Sequence, residues 1–328
     1  MSSDKSLLEV RGLKMHFPVK GGIFLTAKAV CKAVDGVSLT VKPGETLGLV
    51  GESGCGKSTL GKSIVRLYQP TDGTVDFDGR DITKLSRSQI KPLRRNLQMI
   101  FQDPAESLNA RLSVAQILEE PYVIHNMGTA AERRQWATEA LSKVGLQKDA
   151  LNRYSFEFSG GQRQRIGIAR AIALKPKLVI CDEPVSALDV SIQSQVLNLL
   201  LDLQQEMGLS YLFIAHDLAV VKHISDRIAV MYLGKIVETG PADTIYHTPA
   251  HPYTRALVSA VPVPNPRRHR ERIILKGDVP SPIDPPSGCA FHPRCPHATD
   301  KCKVETPFLR TLTSRETQRH EVACHYDL

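Results

Sequence analysis

Nine consecutive residues have the types and the spacing of a phosphate-binding loop. The glycines of this loop allow a tight turn whose backbone N–H groups face an anion. The ammonium group of Lys57 can reach the β- and γ-phosphates of a nucleotide, and the Ser58 hydroxyl can bind Mg²⁺. The pattern G-x-x-x-x-G-K-[ST] therefore predicts a nucleoside triphosphate site, formed by Gly51, Glu52, Ser53, Gly54, Cys55, Gly56, Lys57, Ser58 and Thr59.

The residues on both sides of the loop predict the elements that must hold it. An apolar stretch at 45–50 is typical of a buried strand, and Leu60, Ile64 and Leu67 recur at helical spacing after the loop. A loop between a strand and a helix places the phosphates at the N-terminus of the helix, where the helix dipole favours negative charge. The alternative is a glycine-rich turn that binds nothing.

A second apolar strand ends in two carboxylates. Residues 178–181 are followed directly by Asp182 and Glu183. We expect Asp182 to lie near Mg²⁺ and to contact it through water, and Glu183 to accept a proton from the water that attacks the γ-phosphate. The alternative, two solvated carboxylates that open a turn, is disfavoured by their occurrence together with the loop.

The remaining pattern predicts an α/β fold. Short apolar strands at 97–101, 177–181 and 211–215 alternate with helical segments, which indicates a mainly parallel sheet covered on both faces. Residues 74–79 predict an antiparallel edge strand, 228–237 a hairpin that turns at Gly234, and 18–28 a loop. Helix formers dominate about 103–157, so we expect a helical subdomain there.

Composition excludes several classes of protein. The 328 residues are 42% hydrophobic and 23% charged, which is ordinary for a soluble protein. The net charge of +8 permits nucleic acid, an anionic membrane surface or a nucleotide as a ligand. The basic run 267–272 has no interleaved aromatic residues that could stack on bases, so nucleic acid is not an expected partner. The sequence has no secretory signal and no apolar run that could cross a bilayer. We expect a cytosolic protein that reaches a membrane only through a partner.

Proline-rich residues 261–266 predict a linker and a domain boundary near residue 260, between a large α/β domain at 1–260 and an extension at 261–328. The extension contains Cys289, Cys295, Cys302 and Cys324 in the spacing C-x5-C-x6-C-x21-C. This spacing is wider than that of usual zinc sites and differs from ferredoxin patterns, so it predicts a four-thiolate site of unknown metal. Unligated thiols and ligation by nearby histidines are the alternatives, the histidines being His292, His297 and His325.

The segment 158–162 resembles the LSGGQ signature of ATP-binding cassette (ABC) ATPases, with Phe158 in place of leucine. Its members Ser159, Gly160, Gly161 and Gln162 stand in the family's order with the other motifs, and the resemblance covers residues 7–240. It implies the ABC nucleotide-binding fold with an antiparallel β subdomain and a helical subdomain. In this family the signature of one chain completes the ATP site of another, so it also implies an ATP-driven head-to-tail dimer.

The resemblance assigns further roles. Gln102 looks like the Q-loop glutamine that contacts Mg²⁺ and the attacking water, and His216 looks like the switch histidine at the γ-phosphate. Asp189 ends a segment similar to the D-loop that contacts the opposite monomer. Phe17 resembles the aromatic residue that stacks on adenine, and Phe24 is the alternative candidate for this role.

Residues 251–257 and the cysteine-bearing segment after them resemble the ATPase subunits of bacterial dipeptide and oligopeptide importers. This implies an enzyme that hydrolyses ATP to drive peptide import from the cytoplasmic face of the inner membrane. Its implied partners are a second ABC ATPase subunit, two membrane-spanning permease subunits and an extracytoplasmic peptide-binding protein. The family also implies a [4Fe–4S] cluster on the four cysteines, with zinc as the alternative. Nickel, haem or glutathione as cargo, and a soluble ABC ATPase without transport function, are the other hypotheses.

Overall fold

The computed structural model describes residues 6–21, 26–103, 107–262, 272–312 and 319–327. The chain forms two compact units. Apart from Met1–Lys5, the first consists of Lys42–Glu45 and Leu85–Phe213, and the second of Ser6–Val41, Thr46–Lys84 and Ile214–Leu328. The phosphate loop belongs to the second unit. The predicted boundary near residue 260 stays a prediction.

The elements follow one another in a mixed order of strands and helices. The strands are β1 (Leu8–Gly21), β2 (Thr26–Val41), β3 (Thr46–Val50), β4 (Asp72–Phe77), β5 (Arg80–Asp81), β6 (Leu97–Ile100), β7 (Leu178–Asp182), β8 (Ser210–Ala215), β9 (Arg227–Tyr232), β10 (Lys235–Pro241), β11 (Arg310–Thr311) and β12 (Glu321–Val322). The α-helices are α1 (Lys57–Ile64), α2 (Arg87–Ile90), α3 (Val114–Ile124), α4 (Ala130–Lys143), α5 (Gly160–Ile172), α6 (Val190–Met207), α7 (Leu218–Ile224), α8 (Ala242–His247), α9 (Pro252–Ala260) and α10 (Asp300–Val304). None of the helices in the described ranges is long and apolar enough to cross a membrane.

The first unit contains a parallel pair of strands. β6 and β7 pair from Leu97 opposite Leu178 to Ile100 opposite Cys181, and every residue of β7 is buried. A strand buried on both faces needs apolar side chains at every position, which explains the uninterrupted apolar run before Asp182. Because the two strands are parallel, the residues that follow them lie at the same edge of the sheet.

The stretch predicted to be helical contains α3 and α4, and both helices begin with a capping box. Ser113 and Thr129 each accept a hydrogen bond from a backbone N–H of the first turn, so the start of each helix is fixed by its own sequence. The Tyr122 ring of α3 packs against Trp136 of α4 with 5.0 Å between ring centroids. Its hydroxyl donates to the Ala173 carbonyl at 2.8 Å, which ties both helices to the end of α5.

The second unit contains the predicted antiparallel sheet, in the order β2-β1-β4-β5. The prediction of a loop at 18–28 is wrong, because β1 continues to Gly21 and β2 starts at Thr26. Pro18, which has no N–H to donate, is tolerated since β4 pairs with β1 only as far as Lys14, which leaves this part of the strand with one neighbour. Phe24 lies outside the described residues.

The loop-bearing strand β3 pairs in parallel with β9, and β9 turns back into β10 as the predicted hairpin. Two short strands from the end of the chain, β12 and β11, then extend the sheet from β10. The C-terminal extension is therefore hydrogen-bonded into the sheet that contains β3.

A buried carboxylate anchors the extension. Glu238 has no exposed surface and accepts hydrogen bonds from the backbone N–H groups of Ala250 and His251, at 2.7 and 3.0 Å. Its carboxylate also lies 2.8 Å from His320 Nε2. Burial lowers the pKa of His251 to about 4, so this ring is neutral at physiological pH. Its Nδ1 accepts from the Tyr253 N–H and caps α9.

Candidate functional site

The phosphate loop closes around the side chain of Lys57. The Lys57 ammonium donates to the carbonyl oxygens of Gly51 at 2.8 Å and Glu52 at 3.1 Å, and the residue is buried. A buried ammonium held by backbone carbonyls is a concentrated positive charge at a fixed place. An anion that enters the loop therefore meets a positioned cation.

Two glycines are required by close backbone packing. A Cβ on Gly51 would lie 2.1 Å from the Met231 carbonyl oxygen, and one on Gly56 would lie 1.9 Å from the Ala33 carbonyl oxygen. Gly56 also has a φ of 104° and stands at the N-cap of α1, where no side chain caps the helix. This conformation suits only glycine and aims the first N–H groups of α1 at the loop.

The other loop residues divide into exposed and buried positions. Ser53 and Gly54 are exposed, while Ser58 and Thr59 are half-buried in the first turn of α1. Burial raises the pKa of the Cys55 thiol, whose sulfur lies 3.8 Å from Lys57 Nζ. A buried neutral thiol fills space beneath the loop, so we assign Cys55 a packing role.

The second unit also holds the two residues predicted to contact other parts of the nucleotide. Phe17, on β1, is half-buried, and its ring meets the edge of Tyr68 with 5.5 Å between centroids. His216 follows β8 directly and is exposed. Asp217 caps α7 through a 2.7 Å bond from the Ala219 N–H, which fixes the backbone next to His216. Their contacts with nucleotide stay predictions.

In the first unit, the ends of β6 and β7 bring Gln102 and Glu183 together. Gln102 Nε2 donates to Glu183 Oε2 at 3.0 Å, although the residues are 81 positions apart. Asp182, one residue before Glu183, is buried. Glu183 has a φ of 46°, a left-handed conformation that is rare for a residue with a side chain and costs about 1–3 kcal/mol. Such strain is typical of catalytic positions.

The turn around Glu183 supports this conformation. Its carbonyl oxygen accepts a hydrogen bond from the Ser186 N–H at 3.3 Å and another from the Ser186 hydroxyl at 3.1 Å. Asp189 follows as the N-cap residue of α6, but its side chain is exposed and does not cap the helix. The Asp189 carboxylate therefore faces outward.

The signature segment forms the N-terminus of α5. Ser159 and Gln162 form a capping box, with the Ser159 hydroxyl accepting from the Gln162 N–H at 3.3 Å. Gly161 has no room for a side chain, since a Cβ would lie 2.6 Å from Ile192 Cγ2. Ser159, Gly160 and Gln162 are exposed, so this helix end can receive an anion. Phe158 is buried beneath the Arg153 guanidinium at 4.4 Å, which accounts for an aromatic residue at this position.

Comparison with known proteins places these motifs in a family. The family model described as "ABC transporter" matches residues 34–186, and the one described as "Oligopeptide/dipeptide transporter, C-terminal region" matches 237–302. The oligopeptide transport ATP-binding protein AppF of Bacillus subtilis is 53% identical over 327 residues, which are 99% of this chain and 98% of the relative. A probable peptide ABC transporter ATP-binding protein of Sinorhizobium fredii, y4tS, is 53% identical over 98% of this chain and 90% of its own length.

The chain belongs to the family of ABC transporter ATP-binding proteins.

Solved structures agree with this assignment. The ABC cassette MJ0796, in a dimeric post-hydrolysis state bound to ADP and Pi, matches with a TM-score of 0.64 and 28% identity, over 72% of this chain and 98% of that one. The cbiO1 protein of Clostridium perfringens, part of an ABC transporter complex, matches with a TM-score of 0.63 and 28% identity, over 75% and 92%. This ABC protein is accordingly an ATPase with the family's α/β fold.

The predicted metal site in the extension is not supported. Burial, followed by the neighbouring Cys302, Cys324 and Cys295, raises the pKa of Cys289 to about 11, so these thiols are close enough to interact. However, within the described ranges no three histidine, cysteine or acidic side chains form a group that could hold a metal ion. The arrangement of the described thiols therefore lends no support to a cluster, and no step of the chemistry is derived from one.

The sequence analysis missed two contacts to the loop from the C-terminal region. The Tyr253 hydroxyl accepts from the Glu52 N–H at 2.8 Å, and Arg294 forms a two-pronged ion pair with the Glu52 carboxylate. These partners are 201 and 242 positions from Glu52. No local spacing or periodicity could have revealed them.

Replacing Glu183 by glutamine should remove hydrolysis and spare nucleotide binding. The amide cannot accept the proton of the attacking water, and loss of a general base costs about 10²–10⁴-fold in rate. We expect kcat to fall at least about 100-fold in Glu183→Gln, with the Kd for ATP unchanged within about twofold. Phosphate release and isothermal titration measure the two quantities.

The matched control is Glu206→Gln, because Glu206 is an exposed residue of the same unit that pairs with Lys143. It should keep wild-type hydrolysis. Retention of more than about a tenth of the activity by Glu183→Gln would contradict the role of Glu183 as general base.

Proposed function

We propose that this chain is the ATP-hydrolysing subunit of a bacterial peptide importer. The observation that carries the proposal is the C-terminal region at 237–302, which matches the oligopeptide/dipeptide transporter model in addition to the ABC motifs. The curated relatives, at 53% identity over nearly the whole chain, are named as oligopeptide and peptide transport proteins. Nothing in the described residues favours nickel, haem or glutathione over peptides.

The proposed chemistry gives each predicted site residue a role. The loop N–H groups and Lys57 bind the β- and γ-phosphates, and Glu183 accepts a proton from the attacking water, which Gln102 helps to orient. His216 contacts the γ-phosphate as charge develops. Preorganised donors of this kind stabilise the transition state without reorganising during the reaction.

The residues proposed to hold Mg²⁺ carry oxygen donors. Asp182 offers a buried carboxylate, Ser58 a hydroxyl and Gln102 an amide oxygen, and Mg²⁺ prefers oxygen ligands while keeping several waters. Bound there, the ion would neutralise charge on the β- and γ-phosphate oxygens.

The proposed catalytic unit is a head-to-tail dimer of ABC subunits. The exposed N-terminus of α5, with Ser159, Gly160, Gly161 and Gln162, would close over the nucleotide in the loop of the other subunit, and Asp189 would contact that subunit. The dimeric state of the solved cassette MJ0796 supports this arrangement. ATP binding would close the dimer, and hydrolysis would reopen it.

The proposed assembly has four further components. A second, related ABC ATPase subunit forms the dimer, two permease subunits span the membrane, and an extracytoplasmic protein delivers the peptide. The chain would then act peripherally at the cytoplasmic face of the inner membrane.

Reconstitution of the complex in proteoliposomes tests this function. The binding protein and permease subunits encoded beside this chain would be reconstituted with it, and ATP hydrolysis measured with the binding protein loaded with peptide, nickel, haem or glutathione. We expect only di- and oligopeptides to stimulate hydrolysis and to accumulate in the lumen. Stimulation by another cargo, or an ATPase that never associates with the permeases, would refute the peptide assignment.

The four cysteines carry a separate, finer proposal that the transport cycle above does not need. We propose, from the sequence alone, that Cys289, Cys295, Cys302 and Cys324 bind a [4Fe–4S] cluster, on the grounds of their number and their shared segment. We expect anaerobically purified protein to contain about four iron and four sulfide per chain. One zinc per chain, or neither metal, would refute the cluster.

A further inference from the structure

We propose that Arg294, in the C-terminal region, is a positioning residue for the phosphate loop. It contacts the loop through Glu52, the second loop residue, and by holding Glu52 it fixes the backbone that surrounds Lys57. The inference rests on the proposed function in one respect, namely that this loop binds ATP. It would link the C-terminal region to nucleotide binding.

The contact between Arg294 and Glu52 is a two-pronged ion pair. Arg294 Nη1 lies 2.8 Å from Glu52 Oε2, and Nη2 lies 3.2 Å from Oε1. Only 8% of the Arg294 side chain and 28% of the Glu52 side chain are exposed. A planar guanidinium that meets a carboxylate in this way fixes its direction as well as its distance, and partial burial limits screening by water.

Arg294 is fixed in place by contacts with the surrounding protein. The Arg294 backbone N–H donates to the Phe291 carbonyl at 3.0 Å. The buried Phe291 ring in turn packs against Tyr232 and Tyr253, with 5.2 and 5.5 Å between ring centroids. Among the described residues, Arg294 Nε is buried without a hydrogen-bond partner. The guanidinium therefore depends on Glu52 for compensation of its charge.

Three polar groups of Glu52 form hydrogen bonds, namely its carboxylate, its backbone N–H and its backbone carbonyl. Its carboxylate accepts from Arg294, its N–H donates to the Tyr253 hydroxyl at 2.8 Å, and its carbonyl accepts from Lys57 at 3.1 Å. The same carbonyl accepts from the Cys55 N–H at 3.3 Å. Moving the Glu52 carboxylate thus moves the carbonyl that positions the Lys57 ammonium.

A positioning role differs from a catalytic one in what it alters. Arg294 contacts the phosphate loop rather than a reacting atom, so its loss should weaken binding of the phosphates and leave the chemical step intact. Because the β-phosphate of ADP occupies the same loop, ATP and ADP should lose affinity by the same factor. A variant that is merely unfolded would lose kcat as well.

The test is a double-mutant cycle on the full chain. Isothermal titration would measure the Kd for ATP and ADP in wild type, Arg294→Gln, Glu52→Gln and the double variant. Mg²⁺ is left out of the buffer so that ATP is not hydrolysed during the measurement. We expect each single variant to bind both nucleotides about tenfold more weakly, and the double variant to be no more than about twofold weaker than either. In the reconstituted complex, KM for ATP should rise by a similar factor while kcat stays within about twofold.

Two further variants make the result decisive. Arg319→Gln is the control, since Arg319 is an exposed arginine of the same C-terminal extension (261–328), paired with Glu321 at 2.7 Å, and the variant should bind ATP like wild type. Arg294→Lys keeps the charge but loses the two-pronged geometry, so it should fall between wild type and Arg294→Gln. It also serves as the test if Arg294→Gln does not fold.

The inference would be overturned if the losses of nucleotide affinity in the two single variants added up in the double variant. It would also be overturned if the Kd values of Arg294→Gln and Arg294→Lys stayed within about twofold of wild type. A fall in kcat with unchanged KM would overturn it as well. Failure of the wild-type chain to bind ATP would instead refute the proposed function, so the two failures are distinguishable.

Discussion

The structure depends on one steric constraint, the close packing of the phosphate loop against neighbouring backbone. Gly51 lies against the Met231 carbonyl of β9, and Gly56 lies against the Ala33 carbonyl of β2. A loop packed this tightly cannot carry side chains at these positions, so its N–H groups and not its side chains define the inner surface. The pairing of β3 with β9 holds the strand that carries the Met231 carbonyl, and the pairing of β1 with β2 holds the strand that carries the Ala33 carbonyl.

A second constraint operates at the ends of β6 and β7. Parallel pairing places Gln102 and Glu183 at one edge of the sheet, and the 3.0 Å hydrogen bond between their side chains shows that they meet there. The left-handed backbone at Glu183 is compensated by two hydrogen bonds from Ser186 to its carbonyl oxygen. Strain held in this way keeps a proton acceptor in one orientation, which is what a general base requires.

The sequence predicted what depends on local patterns. Glycine spacing identified the loop, uninterrupted apolar runs identified β7 and β8, and the capping residue Ser159 identified the start of α5. It failed at 18–28, where cross-strand pairing outweighs the local turn signals of Pro18 and the glycines. The contact between Arg294 and Glu52 depends on the whole fold of the second unit, so no local pattern contains it.

The central claim is that the glycine-lined backbone of the loop binds the triphosphate. Its most direct test is the Kd for ATP of Gly56→Ala, compared with Gly167→Ala, a helical glycine of α5 whose added Cβ would meet no atom within 4 Å. The account predicts that Gly56→Ala loses ATP binding by about 100-fold or more, since a Cβ there must displace backbone, while Gly167→Ala binds like wild type and is equally well folded. Unchanged ATP affinity in a folded Gly56→Ala variant would contradict it.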